Sequence, residues 1–291
     1  MMHQVKKICY FGFVSSAMNA FFPPAAWLLL CLYISSGQFL SAQDYCMGAR
    51  YRALGNTGTA DTSAWAVWNN PAGTSRVKEI HCFVSDELLY GIHDIRSFAA
   101  GAVIPVKQRF ILGISLQKQG YQWFNDQQIG LHIAHAIGMY SLSGSVLLWQ
   151  RIAGETYHEL YPLINLGGII AVNHSMQLGI HLYNISNSQN REQTLPFQVK
   201  LGLLYTLSKE TVLYADIIKR LDHTPDLRMG IEYRIHAHFF MRGGILARPL
   251  RMNGGIGFQI RRYAFDYSVS WQSPLGNRHQ LSVRIFFNRK S

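Results

Sequence analysis

The sequence predicts an all-β protein, a transmembrane antiparallel β-barrel of about 14 strands with a small helical plug at its N-terminal end. Three observations carry this. Segments of about ten residues alternate apolar and polar side chains from Ile80 to the C-terminus. Charged residues are only 15% of the 291 and aromatics reach 13%, against about 25% charge in an average soluble chain. An export-type leader precedes the whole.

The leader is residues 1–42. Lys6 and Lys7 supply a positive start, 25–34 (AAWLLLCLYI) an apolar core, and Ser35, Ser36 and Gly37 break it. Ser41-Ala42 before Gln43 reads as a cleavage site, and no acidic residue precedes Asp44. The apolar run is short for a membrane span. Met1 and Met18 both qualify as the start. Cleavage leaves Cys46 and Cys82. In an oxidising compartment the two either bridge, tethering plug to wall, or stay free.

Residues 43–78 form the second unit. The run 48–73 (GARYRALGNTGTADTSAWAVWNNPAG) breaks the strand pattern. Small residues dominate, and Ala and Trp recur at near-helical spacing. Asn69, Asn70, Pro71, Ala72 and Gly73 make a turn, because proline fixes φ, glycine frees it and asparagine caps.

Residues 79–291 are the barrel. In 263–271, Tyr263, Phe265, Tyr267, Val269 and Trp271 share one face, and Ala264, Asp266, Ser268 and Ser270 the other. Segments 197–205, 227–235 and 281–287 repeat the pattern; near 132–136 and 213–217 it is ambiguous. Aromatics gather near strand ends, as a membrane-interface girdle requires. Short links fall at 106–108, 138–140, 173–175, 207–210, near His236 and at 261–262. Longer ones fall at 88–94, 119–126, 151–160, 187–195, 221–224, 247–251 and 272–278. An even strand count places both termini on the periplasmic side of an outer membrane. Lipid and lipopolysaccharide are then the surrounding partners, and the net charge of +11 suits anionic lipopolysaccharide.

The same parity turns Lys200, Arg228, Arg234, Arg242 and Arg284 into the lumen with Glu232 and Asp266. Mid-depth charge facing lipid costs about 2–4 kcal/mol. Two roles fit this wall: attraction of an anionic ligand, or a salt-bridged surface that holds the plug through Asp61 or Glu232. No nucleophile elbow, phosphate loop, paired-cysteine zinc pattern or cofactor motif occurs, so neither an enzyme, a metal nor a cofactor is expected. The basic residues are dispersed, which argues against nucleic acid.

The run 48–73 resembles the N-terminal signature of the long-chain fatty-acid transporter superfamily, and within it the PorV/PorQ-type barrels of Bacteroidetes. The residues that carry the resemblance include Gly55, Gly58, Ala60, Asp61, Ala64, Trp65, Ala66, Trp68 and the Asn70-Pro71-Ala72-Gly73 turn. Gly230-Ile231-Glu232-Tyr233 and Arg242-Gly243-Gly244 are similar to paired strands of that group. The resemblance implies a 14-stranded barrel with the plug in its lumen. It also implies either passage of hydrophobic or amphipathic small molecules, or a non-conducting barrel that anchors or shuttles cargo for type IX secretion with a protein partner. A channel of this kind is expected to hold an apolar pocket beside the plug and a kink or bulge in a neighbouring strand.

Overall fold

The computed structural model describes residues 47–107, 110–155, 157–186, 195, 197–221, 223–272 and 275–287. The leader 1–42 and Cys46 lie outside these residues.

Each alternating segment becomes one strand of a single sheet. In order these are β1 (Ile80–Leu88), β2 (Arg96–Lys107), β3 (Phe110–Tyr121), β4 (Phe124–Ile137), β5 (Tyr140–Ala153), β6 (Tyr157–Ala171) and β7 (Met176–Tyr183). Then follow β8 (Gln198–Thr206), β9 (Thr211–Arg220), β10 (Asp226–His236), β11 (Phe239–Leu246), β12 (Arg251–Ile260), β13 (Tyr263–Gln272) and β14 (Gly276–Phe287). Sequential strands pair antiparallel, and β14 closes on β1 from Ile80↔Phe287 to Leu88↔His279. Closure is required of a sheet in lipid, because an open edge there leaves backbone groups with no partner.

The side chains are sorted inside out relative to a soluble β-sandwich. On β4, Leu131 is 62% exposed, whereas its neighbour His132 is 6% exposed. Ile129, Ile133, Leu142, Val146, Leu201, Met229 and Leu281 likewise point outward. Water would not tolerate so wide an apolar exterior; hydrocarbon does. The ambiguous segments are settled by the same sorting: His132, Ala134 and Ala136 face in, as do Tyr214, Asp216 and Ile218.

Two expected loops are strand instead. Pairing on β3 and β4 continues to Tyr121↔Phe124, leaving a turn at Gln122 and Trp123, and β5 and β6 pair as far as Ala153↔Tyr157. β4, β5 and β6 thus run to 14, 14 and 15 residues, where about 9–11 cross a bilayer. The segments 119–126 and 151–160 read as loop because strand ends beyond hydrocarbon need not alternate. β7, by contrast, has eight residues and covers β6 only from Leu166↔Leu182 onward. Past that point Ile185 N donates to Ile164 O (2.9 Å) and Asn184 N to Asn165 Oδ1 (2.8 Å).

The plug fills the lumen. It holds one helical turn, α1 (Ala49–Ala53), and two 3-10 turns, Ala64–Trp68 and Pro71–Arg76. Pro71 opens the last of these and the Asn70 side chain accepts from Ala72 N, the usual chemistry of a helix start. Gly73 is needed for space: a Cβ there would lie 2.0 Å from Asp61 O. Trp65 packs with tilted rings against Phe83 of β1 at 4.8 Å and against Trp68 at 5.7 Å between ring centroids. Together with Met47, Tyr51 and Leu54 they form the apolar heart of the molecule. The wall makes room for the plug with glycines. A Cβ at Gly179 of β7 would meet Thr59 O at 2.2 Å, and one at Gly244 of β11 would meet Gly55 N at 2.2 Å.

Candidate functional site

Arg50, on α1, is where plug and wall are joined most densely. Its Nη1 donates to Asp61 Oδ2 of the plug (2.7 Å), its Nε to Glu232 Oε2 of β10 (2.9 Å) and its Nη2 to the Tyr214 hydroxyl of β9 (2.9 Å). Glu232 also accepts from Arg242 Nε of β11 at 2.5 Å, and Arg242 Nη1 donates to Asp266 Oδ1 of β13 at 2.7 Å. The result is a chain of alternating charge, Asp61–Arg50–Glu232–Arg242–Asp266, running from plug across four strands of wall. Burial works against the charge on Arg50, but Asp61, Glu232 and Tyr214 outweigh it and hold its pKa well above the ordinary value. The neighbouring Tyr51 hydroxyl donates to Asp61 Oδ2 at 2.5 Å, and burial together with that carboxylate pushes its pKa up.

Three further contacts hold the plug around its circumference. Asp216 of β9 accepts from Gly58 N (3.0 Å), Thr59 N (3.1 Å) and Thr59 Oγ1 (2.8 Å). Arg52 Nη2 donates to Glu87 Oε2 of β1 at 2.7 Å, with both side chains at most 2% exposed. Asn70 Nδ2 reaches Thr59 O (2.7 Å) and the carbonyls of Gly168 on β6 and Ile180 on β7 (3.2 Å each). The bonds of Asp216 and of Arg52 are charge-assisted, and such bonds are strong where water is excluded.

The residues singled out from the sequence fall into distinct places. Asp61, Asn70, Pro71, Ala72 and Gly73 are buried in the plug, and Asn69 accepts from Lys200 Nζ at 3.4 Å. Trp65 is buried at the centre and Trp68 borders the cavity described below. Arg228, Glu232, Arg242 and Asp266 are buried in the wall; Arg228 pairs with Asp226 at 2.8 Å. Arg284 is half-buried with the same inward parity. Arg234 is exposed at the end of β10 and donates to Lys209 O in the neighbouring turn, apart from the packed interior. Cys82 is exposed on the outer face of β1, while Cys46 is outside the described residues.

Arg50, Arg52, Glu87 and Asp216 were not legible as plug contacts. The signal for the arginines was present: two long cations in a stretch dominated by small residues. Asp216 lay in a segment whose parity the sequence left ambiguous.

The lumen has two chemical halves. From β8 through β14 to β1 its buried lining is charged, with Lys200, Asp216, Arg228, Glu232, Arg251 and Arg278 among others. From β3 to β7 it is mainly neutral and polar: Ser115, Gln117, Gln128, His132, Ser145, Asn165 and His181, with an Arg151–Asp126 ion pair toward one end. Between this neutral wall and the plug lies a cavity of about 10 Å³, bordered by Trp68, Pro71, Gln128, His132, His181 and Tyr183 among others, which is about the room one water needs. Beside the plug, among the described residues, this gap is small and lined by apolar and polar side chains together, because Trp68 and Pro71 occupy the space. Register shifts occur at Pro105/Lys107 and Arg234/His236, both next to hairpin turns rather than in mid-wall.

Fold and interior define a closed 14-stranded barrel with an apolar exterior and a plugged lumen. Among solved structures it is similar to TodX, the toluene transporter of Pseudomonas putida, with a TM-score of 0.64 and 12% identity, over 85% of this chain and 100% of that one. It is also similar to the CymD monoaromatic hydrocarbon channel (0.63, 12%, 83% and 98%) and to a Pseudomonas aeruginosa FadL homologue (0.62, 11%, 84% and 98%). At such identities the likeness is one of fold. No protein-family profile and no curated protein sequence matches the chain.

Proposed function

We propose that the protein is an outer-membrane channel for hydrophobic or amphipathic molecules, closed in this conformation by its plug, with both termini on the periplasmic side. The observation that carries this reading is the chemistry of the plug–wall interface. Four of its principal joints, at Arg50, Arg52, Asp216 and Asn70, are polar or charged. Ions and amides released into a water-filled lumen regain solvent, so these joints separate at lower cost than apolar contact of equal area, such as that of Trp65 on Phe83, which loses about 25 cal/mol per Å². The similar barrels named a toluene transporter and a monoaromatic hydrocarbon channel support the same reading.

The test is uptake of a hydrophobic dye, 1-N-phenylnaphthylamine, by cells carrying the protein in an intact lipopolysaccharide outer membrane. Uptake above that of cells without the protein is expected, and Arg50→Ala raises it further. Equal uptake in all three overturns the channel.

A second reading has its own support. A non-conducting barrel that anchors cargo for type IX secretion, in the manner of PorV, needs a sealed lumen and an exposed apolar patch. The cavity is no larger than a water site, and Tyr121, Trp123 and Phe124 at the β3–β4 turn are 44%, 53% and 42% exposed. Loss of a co-purifying partner on Trp123→Ser, with dye uptake absent throughout, is the outcome that favours it.

A further inference from the structure

The two ends of the barrel differ in charge. At the end that carries Ile80 and Phe287, the cations Arg76, Lys78, Lys209, Arg234, Arg261 and Arg262 are exposed, and the acids beside them are Glu79 and Glu210. None of these cations forms an ion pair among the described residues, and Glu210 accepts locally from Ser208 Oγ (3.1 Å). At the opposite end Arg96 is paired with Asp86 (2.8 Å) and Arg151 with Asp126 (2.7 Å). Lys118, Lys219, Arg220 and Arg248 stand there among Asp94, Glu155 and Glu159. Among the described residues the positive excess therefore gathers at the first end.

Hydrogen bonds hold the cations of β8 to β14 on one arc. Arg234 donates through its side chain to Lys209 O and through its N–H to Glu210 O (2.8 Å). Gln259 N donates to His238 O (2.9 Å) and Phe286 N to Arg262 O (3.0 Å). The turns they join are short, 207–210, 237–238 and 261–262. Tyr205, Tyr233 and Tyr263 are exposed on the outer face at this end, and the last two adjoin Arg234 and Arg262 in sequence. Outward tyrosines of a barrel sit at the headgroup level, and a strand advances only about 3.3 Å per residue. The cations thus stand within the headgroup layer, where a long loop would pass beyond it.

We propose that this end is a docking surface for anionic phospholipid, with the phosphates of phosphatidylglycerol in the periplasmic leaflet held by Lys209, Arg261, Arg262 and Lys78. Basic side chains at a membrane surface attract anionic lipid, and arginine and lysine both bond phosphate oxygens. Phosphatidylethanolamine offers the same phosphate but offsets its charge with an ammonium. An acidic protein is a poorer fit, since turns of this length present no surface that projects from the lipid. The inference rests on the outer-membrane reading with periplasmic termini and adds a partner to it.

The experiment is native mass spectrometry of the full-length protein in micelles that carry equal amounts of phosphatidylglycerol and phosphatidylethanolamine with the same acyl chains. Phosphatidylglycerol is expected to be retained about five-fold or more over phosphatidylethanolamine. Lys209→Gln/Arg261→Asn/Arg262→Gln brings the two lipids to one level; asparagine is used at 261 because φ there is 48°. Lys78→Gln, outside the strands, lowers the excess by itself and serves should the triple variant fail to fold. Arg96→Gln/Lys118→Gln at the opposite end leaves the excess unchanged. Equal retention in the parent, an excess that survives the turn substitutions, or one lost with Arg96 and Lys118 overturns the proposal. So does lipid A retained through the same cations in place of phosphatidylglycerol, or an acidic protein from native membrane that the turn substitutions release while lipid retention is unchanged. A membrane-impermeant maleimide on Ala237→Cys separates the two failures. Labelling in intact cells removes the periplasmic placement itself; shielding in intact cells, with no lipid preference, removes the docking surface and leaves the channel.

Discussion

The guanidinium of Arg50 lies 2.9 Å from the carboxylate of Glu232, and 182 residues of chain separate the two. One belongs to the plug and the other to the wall, so the pair ties the two together. Removing Arg50 leaves Glu232 its bond to Arg242 but takes the buried cation from Asp61, and breaking a buried pair in this way costs about 3–5 kcal/mol. Arg50→Met is therefore expected to lower the thermal transition of the purified barrel clearly, with Arg50→Met/Asp61→Asn partly restoring it. A double-mutant cycle showing coupling below about 0.5 kcal/mol means the pair contributes nothing specific.

Asp216 holds the 58–59 segment through two backbone N–H groups and a hydroxyl. Asp216→Asn replaces one acceptor oxygen by a donor and removes the charge, which costs about 1.5–3 kcal/mol for a charged hydrogen bond. Because the strand pairing is untouched, the loss is local. Limited proteolysis is expected to cut within 55–62 in the variant while the barrel core stays resistant. Unchanged cutting shows that the segment is held by its other contacts.

Gly73 has no room for a Cβ, which would sit 2.0 Å from Asp61 O. Gly73→Ala forces apart the segments that carry Asp61 and Asn70, and the plug loosens without any charge being altered. Planar-bilayer recordings are expected to show longer and more frequent open events than the parent barrel. A variant as silent as the parent argues that the plug absorbs the methyl elsewhere.

Tyr51 gives the alkaline limit. Burial and Asp61 raise the pKa of its hydroxyl in the folded state above the usual 10. The folded protein then holds a proton that the unfolded chain gives up above pH 10, so stability falls as pH rises beyond that point and is constant below it. Arg50 is raised as well, so its contribution is kept until still higher pH. Plug protection, measured by amide hydrogen exchange, is expected to decline above about pH 10, and Tyr51→Phe removes the part of that decline due to ionisation.

How much of this was legible depends on range. Alternation along 263–271 and 227–235 fixes which residues face lipid, because the period of a strand is set by backbone geometry alone. Asn70, Pro71 and Gly73 announce a turn for equally local reasons. The 119–126 segment misled, since a strand that rises past hydrocarbon loses the alternation that reveals it.

The amino-acid sequence by itself determined a strand-rich barrel of about fourteen segments whose side chains sort to one face or the other. Only the tertiary structure decided which charge meets which: that Arg50 bridges Asp61 and Glu232, and that Asp216 grips the backbone of 58–59. The contacts of Arg50 with Glu232 and of Asp216 with Thr59 join residues more than a hundred positions apart, and barrel closure and the seating of the plug bring them together. Local periodicity carries the direction of a side chain and not the identity of what it faces.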